Sequence, residues 1–189
     1  MIKIAVVGDI GSGKSHIAKL FGYPVFNADI EVSKLYKKDR KIFNKLKEVL
    51  PKYIYSFPIN KSEVSRAILA NKSNLQKIVK IVHLEIRNKM NIFLSRNRNK
   101  KIVILDIPLL LENKINEKND ILVFVKTKKI DILKRLEKRE NFNSKLLGKF
   151  KNIQFPLDYK KKRSQFVINN NFTKKSVKKG IQNILKEIL

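Results

Sequence analysis

Gly8-Asp9-Ile10-Gly11-Ser12-Gly13-Lys14-Ser15 follows a short apolar run, residues 2–7, and leads into residues 13–21, where Ile17, Ala18, Leu20 and Phe21 recur at helical spacing. Strand, glycine-rich turn and helix in that order are the setting that the pattern G-x-x-x-x-G-K-[ST] needs, and every position of the pattern is met. Gly8, Gly11 and Gly13 let the backbone wrap closely around phosphates, Ser12 included in the turn, with amides pointing inward. The helix start adds its positive dipole end. Lys14 is expected to bridge the β- and γ-phosphates, and the Ser15 hydroxyl to ligate Mg²⁺. The stretch therefore predicts a nucleoside triphosphate site, which by itself does not choose among kinases, ATPases and GTPases.

Working outward, residues 24–28 read as a second strand ending at Asp29, and residues 30–50 as one or two helices. Ser62 is the expected N-cap of a helix over 62–69. A long helix is predicted from 73 to about 96, with Leu75, Ile78, Val79, Val82, Ile86, Met90, Ile92 and Phe93 on its apolar face. Strands follow at 102–107, stopped by Pro108, and at 121–125, then a helix at 130–140 on Ile132, Leu133 and Leu136. Residues 141–159 are polar, basic and weakly periodic, which suggests a mobile helical hairpin. A last strand at 165–168 and an amphipathic helix at 174–189 complete the pattern. Strands separated by helices imply parallel pairing, hence an α/β three-layer fold with a five-stranded parallel sheet. Its ligand should sit at the carboxyl ends of the strands.

The chain has 189 residues, which suits one domain with an inserted subdomain. It has no cysteine, so disulfides, thiolate metal sites and cysteine catalysis are excluded. The longest apolar runs, 107–111 and 121–125, fall far short of the ~20 residues of a membrane span. Residues 2–7 run straight into the glycine loop with no cleavage pattern, so no secretory signal is read, and a cytoplasmic protein is expected. Net charge is +27, from 43 Lys and Arg against 16 Asp and Glu, the usual footprint of a nucleic-acid binder. Yet the cations are dispersed along the whole chain, and Lys, Asn and Ile, enriched together, share AT-rich codons. The expectation is a phosphate-friendly surface without a specific nucleic-acid partner.

A motor ATPase needs more chain than this, and Asn113-Lys114-Ile115-Asn116 lacks the aspartate of a guanine reader, which leaves a small P-loop kinase. Two acids are candidates for its chemistry. Asp29 at a strand end could accept a proton from an acceptor hydroxyl, or cap a helix starting at Ile30. Asp106 could hold Mg²⁺ directly or through water, or serve as a turn acid ahead of Pro108.

Taken together, the motifs resemble the dephospho-coenzyme A kinase family nearly end to end. Residues 8–15 resemble its P-loop; Asn27-Ala28-Asp29 stands at its D-A-D, Ile59-Asn60-Lys61 at its I-N-R, and His83-Leu84-Glu85-Ile86-Arg87 at its H-P-x-[IV]-R. Asp106-Ile107-Pro108-Leu109-Leu110-Leu111-Glu112 resembles D-[IV]-P-L-L-F-E. Arg139 and the run from Gln154-Phe155-Pro156 to Lys160 resemble the lid, and Val167-Ile168-Asn169-Asn170 resembles V-I-D-N. The family's first acid is here Asn27, its proline is Leu84, and a second lid arginine is replaced by Asn143-Ser144-Lys145. His16 stands for a threonine and would serve ATP through its backbone amide.

The resemblance implies a single P-loop kinase domain over 1–189: a core of 1–30, 100–138 and 164–189, a helical substrate-binding insertion at about 31–99, and a lid at about 139–163. It implies transfer of the ATP γ-phosphoryl to the 3′-hydroxyl of dephospho-coenzyme A, with Mg²⁺. Lys14, Asp29 and Arg139 would be catalytic, Asn170 would lie near the ATP adenine, and Asp29, His83, Arg87, Leu110 and Glu112 would meet the substrate, Glu112 through Arg87 or directly. On the residues alone, His83 and Arg87 are equally a solvent-facing pair, and Arg139 part of a solvated basic face. No membrane and no obligate protein partner are expected. A nucleoside monophosphate or shikimate kinase, or a nucleic-acid-binding P-loop protein, are the alternatives.

Overall fold

The computed structural model describes residues 1–140 and 142–189, apart from the side chains of residues 174–176. Asn141, where the expected hairpin begins, lies outside the described residues. In chain order the elements are β1 (Ile2–Gly8), α1 (Lys14–Leu20), β2 (Val25–Asn27), α2 (Ala28–Lys38), α3 (Arg40–Val49), α4 (Lys61–Ala70) and α5 (Lys72–Arg96). Then come β3 (Ile102–Asp106), β4 (Ile121–Lys126), α6 (Lys129–Glu137), α7 (Ser144–Lys151), α8 (Leu157–Lys162), β5 (Phe166–Asn169) and α9 (Lys174–Ile188). The chain forms two compact units. The first comprises Met1–Asn27, Leu94–Phe142 and Gln154–Leu189; the second comprises Ala28–Phe93 and Asn143–Ile153.

The first unit is built on one five-stranded sheet, order β2-β3-β1-β4-β5, with every pairing parallel, as the alternation of strands and helices predicts. All five residues of β3 are buried, as is β1 from Ile4 onward, because helices cover both faces of a parallel sheet and leave no place for polar alternation. On one face Ile4, Val6, Ile102, Ile104, Val123, Val125 and Ile168 pack with Ile17 and Ala18 of α1 and Val177, Ile181 and Ile184 of α9. The connection leaving β1 runs towards β2 and that leaving β3 towards β4, which opens a crevice at their carboxyl ends.

Several expectations are corrected here. The second strand stops at Asn27, whose side-chain amide donates to Asp106, its register partner on β3. Ala28, a good helix former, then starts α2. Asp29 therefore lies in the first turn of a helix, exposed, and is neither a strand end nor the cap of a helix beginning at Ile30. On α6, Leu133 is 44% exposed: Ile132 and Leu136, four apart, form the buried stripe.

The second unit is helical. Leu75, Ile78, Val82, Ile86 and Met90 are the buried line of α5, and Ile92, two residues on and therefore around the helix from Met90, is 52% exposed. The cap of α4 is Asn60, not Ser62: Asn60 is extended, and its side-chain oxygen accepts the Ser62 amide at 3.0 Å. Glu63 is buried and accepts the Tyr55 amide at 3.0 Å, the Ser56 amide at 3.3 Å and the Ser56 hydroxyl. Burial alone would raise its carboxyl, but these bonds outweigh it and hold Glu63 below the usual carboxylate range. The region expected as one hairpin contains two helices that belong to different units: α7 packs with α4 in the second, and α8 with β1 in the first.

Candidate active site

In the first unit each strand of the sheet ends on a residue, or is followed by one, with a polar group to offer. Gly8 ends β1 and opens the glycine loop. Within that loop the Ile10 amide donates to Asp9 Oδ1 at 2.7 Å and the Ser12 amide to the Asp9 carbonyl at 3.2 Å. The amides of Gly11, Gly13 and Ser15 have no protein acceptor among the described residues. Lys14 folds over the same loop, its ammonium donating to the Asp9 carbonyl at 2.7 Å and the Gly8 carbonyl at 3.3 Å. Ser12 Oγ is buried without a hydrogen-bond partner among the described residues. Three amides, a hydroxyl and an ammonium on one turn make a built anion cradle.

Two residues hold this cradle in shape, one of which, Thr127, the sequence did not single out. Thr127, just beyond β4, and Asn170, just beyond β5, both donate to the Ser12 carbonyl, at 3.1 and 2.8 Å. Asn170 is buried, and its own oxygen accepts the Phe172 amide at 2.9 Å, so the residue expected near the adenine braces the glycine loop. Beside it the Arg135 guanidinium lies 4.6 Å from the centre of the Phe172 ring. Gly13 sits against this group at φ 94°, and a Cβ there would come within 2.5 Å of Asn170 Nδ2. Gly13→Ala thus combines left-handed strain of ~1–2 kcal/mol with a clash. It is expected to weaken ATP binding by about tenfold or more and to lower Tm, as titration and thermal melting will measure.

Asp106, 2% exposed, ends β3, with Asn27 engaged on one carboxylate oxygen. Ser15 is exposed on α1. His16 is exposed as well, and its amide turns back onto the Gly13 carbonyl at 3.1 Å. Arg139 is exposed just beyond α6. Leu110, at 1% exposure, is core. Glu112 is paired with the buried Lys160 of α8, at 2.8 Å. In the second unit His83 and Arg87 lie one turn apart on α5. Burial, with Arg87 adding to it, holds the His83 imidazole below its usual range, so it is neutral at pH 7. Its Nε2 has no partner among the described residues.

A family model described as dephospho-CoA kinase matches residues 2–176. The chain belongs to the dephospho-CoA kinase family. Dephospho-CoA kinases of Wolbachia sp. subsp. Brugia malayi (strain TRS) and Bacillus anthracis are each 31% identical to it, over 98% of this chain and 97% and 96% of theirs. The crystal structure of TT1252 from Thermus thermophilus matches with a TM-score of 0.80 at 25% identity, covering 100% of this chain and 98% of that one. A shikimate kinase from Acinetobacter baumannii, TM-score 0.54 at 14% identity, covers 100% of this chain and 93% of its own, and shares the fold. As a dephospho-CoA kinase family member the chain is a kinase, a phosphotransferase that uses ATP. Among the described residues no helix is long and apolar enough to cross a membrane.

Proposed function

We propose that this kinase transfers the γ-phosphoryl of ATP to the 3′-hydroxyl of dephospho-coenzyme A, giving ADP and coenzyme A, the last step of coenzyme A synthesis. The observation that carries the reading is the cradle of acceptor-less amides at Gly11, Gly13 and Ser15 beside Lys14, in a chain of this family. Phosphoryl transfer asks for positioning and charge neutralisation more than for covalent chemistry. Gly8, Gly11, Ser12, Gly13 and Ser15 wrap the phosphates, with His16 at the loop's exit. Lys14 swings from the Gly8 and Asp9 carbonyls to the β- and γ-phosphates, and Arg139 covers the transferring group. Asn170 shapes the loop beneath the nucleotide, and the Arg135–Phe172 stack beside it is the surface that fits a purine.

Ser15 and Asp106 offer a hydroxyl and a carboxylate, the hard oxygen donors that Mg²⁺ prefers. No three His, Cys, Asp or Glu residues gather into a metal site among the described residues, so phosphate oxygens and water would supply the other ligands. Held there, Mg²⁺ would supply positive charge that neutralises the triphosphate. Asp29 takes the proton of the acceptor hydroxyl and orients its oxygen. The neutral His83 and the cationic Arg87 hold the adenine or phosphate groups of the acceptor, with Glu112 completing the acceptor side. With ATP and Mg²⁺ as reactants, this reading assigns the work to the cytoplasm, without an obligate protein partner.

Purified protein incubated with Mg-ATP and, separately, dephospho-coenzyme A, AMP and shikimate tests the assignment. ADP release is expected with dephospho-coenzyme A alone; stimulation only by AMP or shikimate would overturn it. Residues 139–163, which contain α7 and α8, act on this reading as a lid over ATP. Amide exchange in α7 is expected to slow on adding an unreactive ATP analogue with Mg²⁺; equal protection in both states would contradict a lid. The dispersed +27 charge should give only weak, salt-sensitive, sequence-independent binding to nucleic acid. Tight filter binding to one RNA at physiological salt, poorly competed by bulk RNA, would contradict that.

A further inference from the structure

Of the 16 Asp and Glu residues in the chain, one, Asp9, stands inside the glycine loop. It fills a position that the pattern leaves open, in a turn whose amides are there to receive anions. Its carboxylate closes on the Ile10 amide at 2.7 Å, and its carbonyl accepts the Ser12 amide at 3.2 Å and the Lys14 ammonium at 2.7 Å. Among the described residues no cation pairs with the carboxylate. Within residues 8–15 the single acid, Asp9, offsets the single base, Lys14, so the loop carries no formal charge in a chain of +27. An asparagine would close the same turn uncharged. The turn therefore accounts for the side-chain oxygen and leaves the charge to be explained.

We propose that Asp9 selects the ionic form in which ATP enters: its carboxylate repels the metal-free triphosphate and admits the Mg²⁺ complex. The inference rests on the loop being the ATP site and on Mg²⁺ being its metal. Coordination of one Mg²⁺ removes about two units of negative charge, roughly half of what the triphosphate carries. Repulsion by one fixed carboxylate is proportional to the charge that approaches it, so it falls about twice as hard on the free nucleotide as on the complex. Lys14 by itself would favour the more highly charged form. Asp9, on the same loop, cancels that preference, and the amides of Gly11, Gly13 and Ser15 are left to hold the complex.

Calorimetric titration with an unreactive ATP analogue, once with excess Mg²⁺ and once with a chelator, tests this beside melting curves. Asp9→Asn keeps an oxygen for the Ile10 amide and removes the charge. It should tighten binding of the metal-free analogue roughly 10-fold and of the Mg²⁺ complex only about 3-fold, with Tm unchanged. Asp9→Ala should give the same two gains and a lower Tm, because it also loses the bond to Ile10. In high salt, where the screening length falls to about 3 Å, the gains of both variants should shrink. No gain, equal gains for the two forms, gains that survive high salt, or gains confined to Asp9→Ala would overturn the proposal and leave Asp9 a turn residue. Wild-type protein that binds neither form would strike the placing of ATP in this loop, and the proposal with it. Failure to use dephospho-coenzyme A would strike the proposed function alone, since no acceptor enters the titration.

Discussion

Lys14→Ala is expected to cut kcat by roughly 10²–10³-fold, the usual cost of removing one preorganised donor from a developing charge. The side chain sits on the glycine loop and is not among the buried apolar groups of the first unit, so the sheet has no packing reason to change. The substitution does remove the bonds to the Asp9 and Gly8 carbonyls, at 2.7 and 3.3 Å. Those carbonyls are then left to water, and Tm should fall only slightly. Rapid-quench turnover beside a melting curve separates the two effects. Near-normal kcat in a folded variant would show that this loop does not hold the transferred phosphate.

Asp29→Asn should lower kcat with dephospho-coenzyme A by ~10²–10⁴-fold, the range for a positioned general base, and leave ATP affinity alone. The position within α2 sets what else changes. Asp29 lies in the first helical turn, where a negative charge interacts with the helix dipole. Neutralising it costs ~0.3–1 kcal/mol, a Tm shift of no more than about 4 °C in a chain of this size. Asparagine matches the carboxylate in size but cannot take the proton. If Asp29 serves only the helix, kcat should stay at wild type while Tm shows that small fall; if it is the base, kcat collapses.

Much of the core was legible because its signals are local or repetitive. The strand, glycine turn and helix at residues 2–20 stand side by side in the chain, and buried parallel strands announce themselves as unbroken apolar runs. What was illegible depends on contacts between distant residues. The end of β2 is set by Asn27 reaching Asp106, 79 positions away, and with it the helical setting of Asp29. Lys160 stands in a run with Lys161, Lys162 and Arg163 that reads as a solvated basic face, yet it alone of the four is buried, on Glu112. Thr127 looks like any loop threonine until the sheet brings the end of β4 to the Ser12 carbonyl. Asn60 and Ser62 are both good caps, and only the extended backbone at Asn60 decides between them.

The most direct test of the central claim is the fate of the γ-phosphorus. ATP labelled at that phosphorus, Mg²⁺, dephospho-coenzyme A and the purified protein should yield ADP and one labelled product. Its phosphorus spectrum and mass should show a new monoester on the ribose 3′-oxygen, and so coenzyme A. Label recovered only as inorganic phosphate, or on any other acceptor in place of the 3′-oxygen, would contradict it.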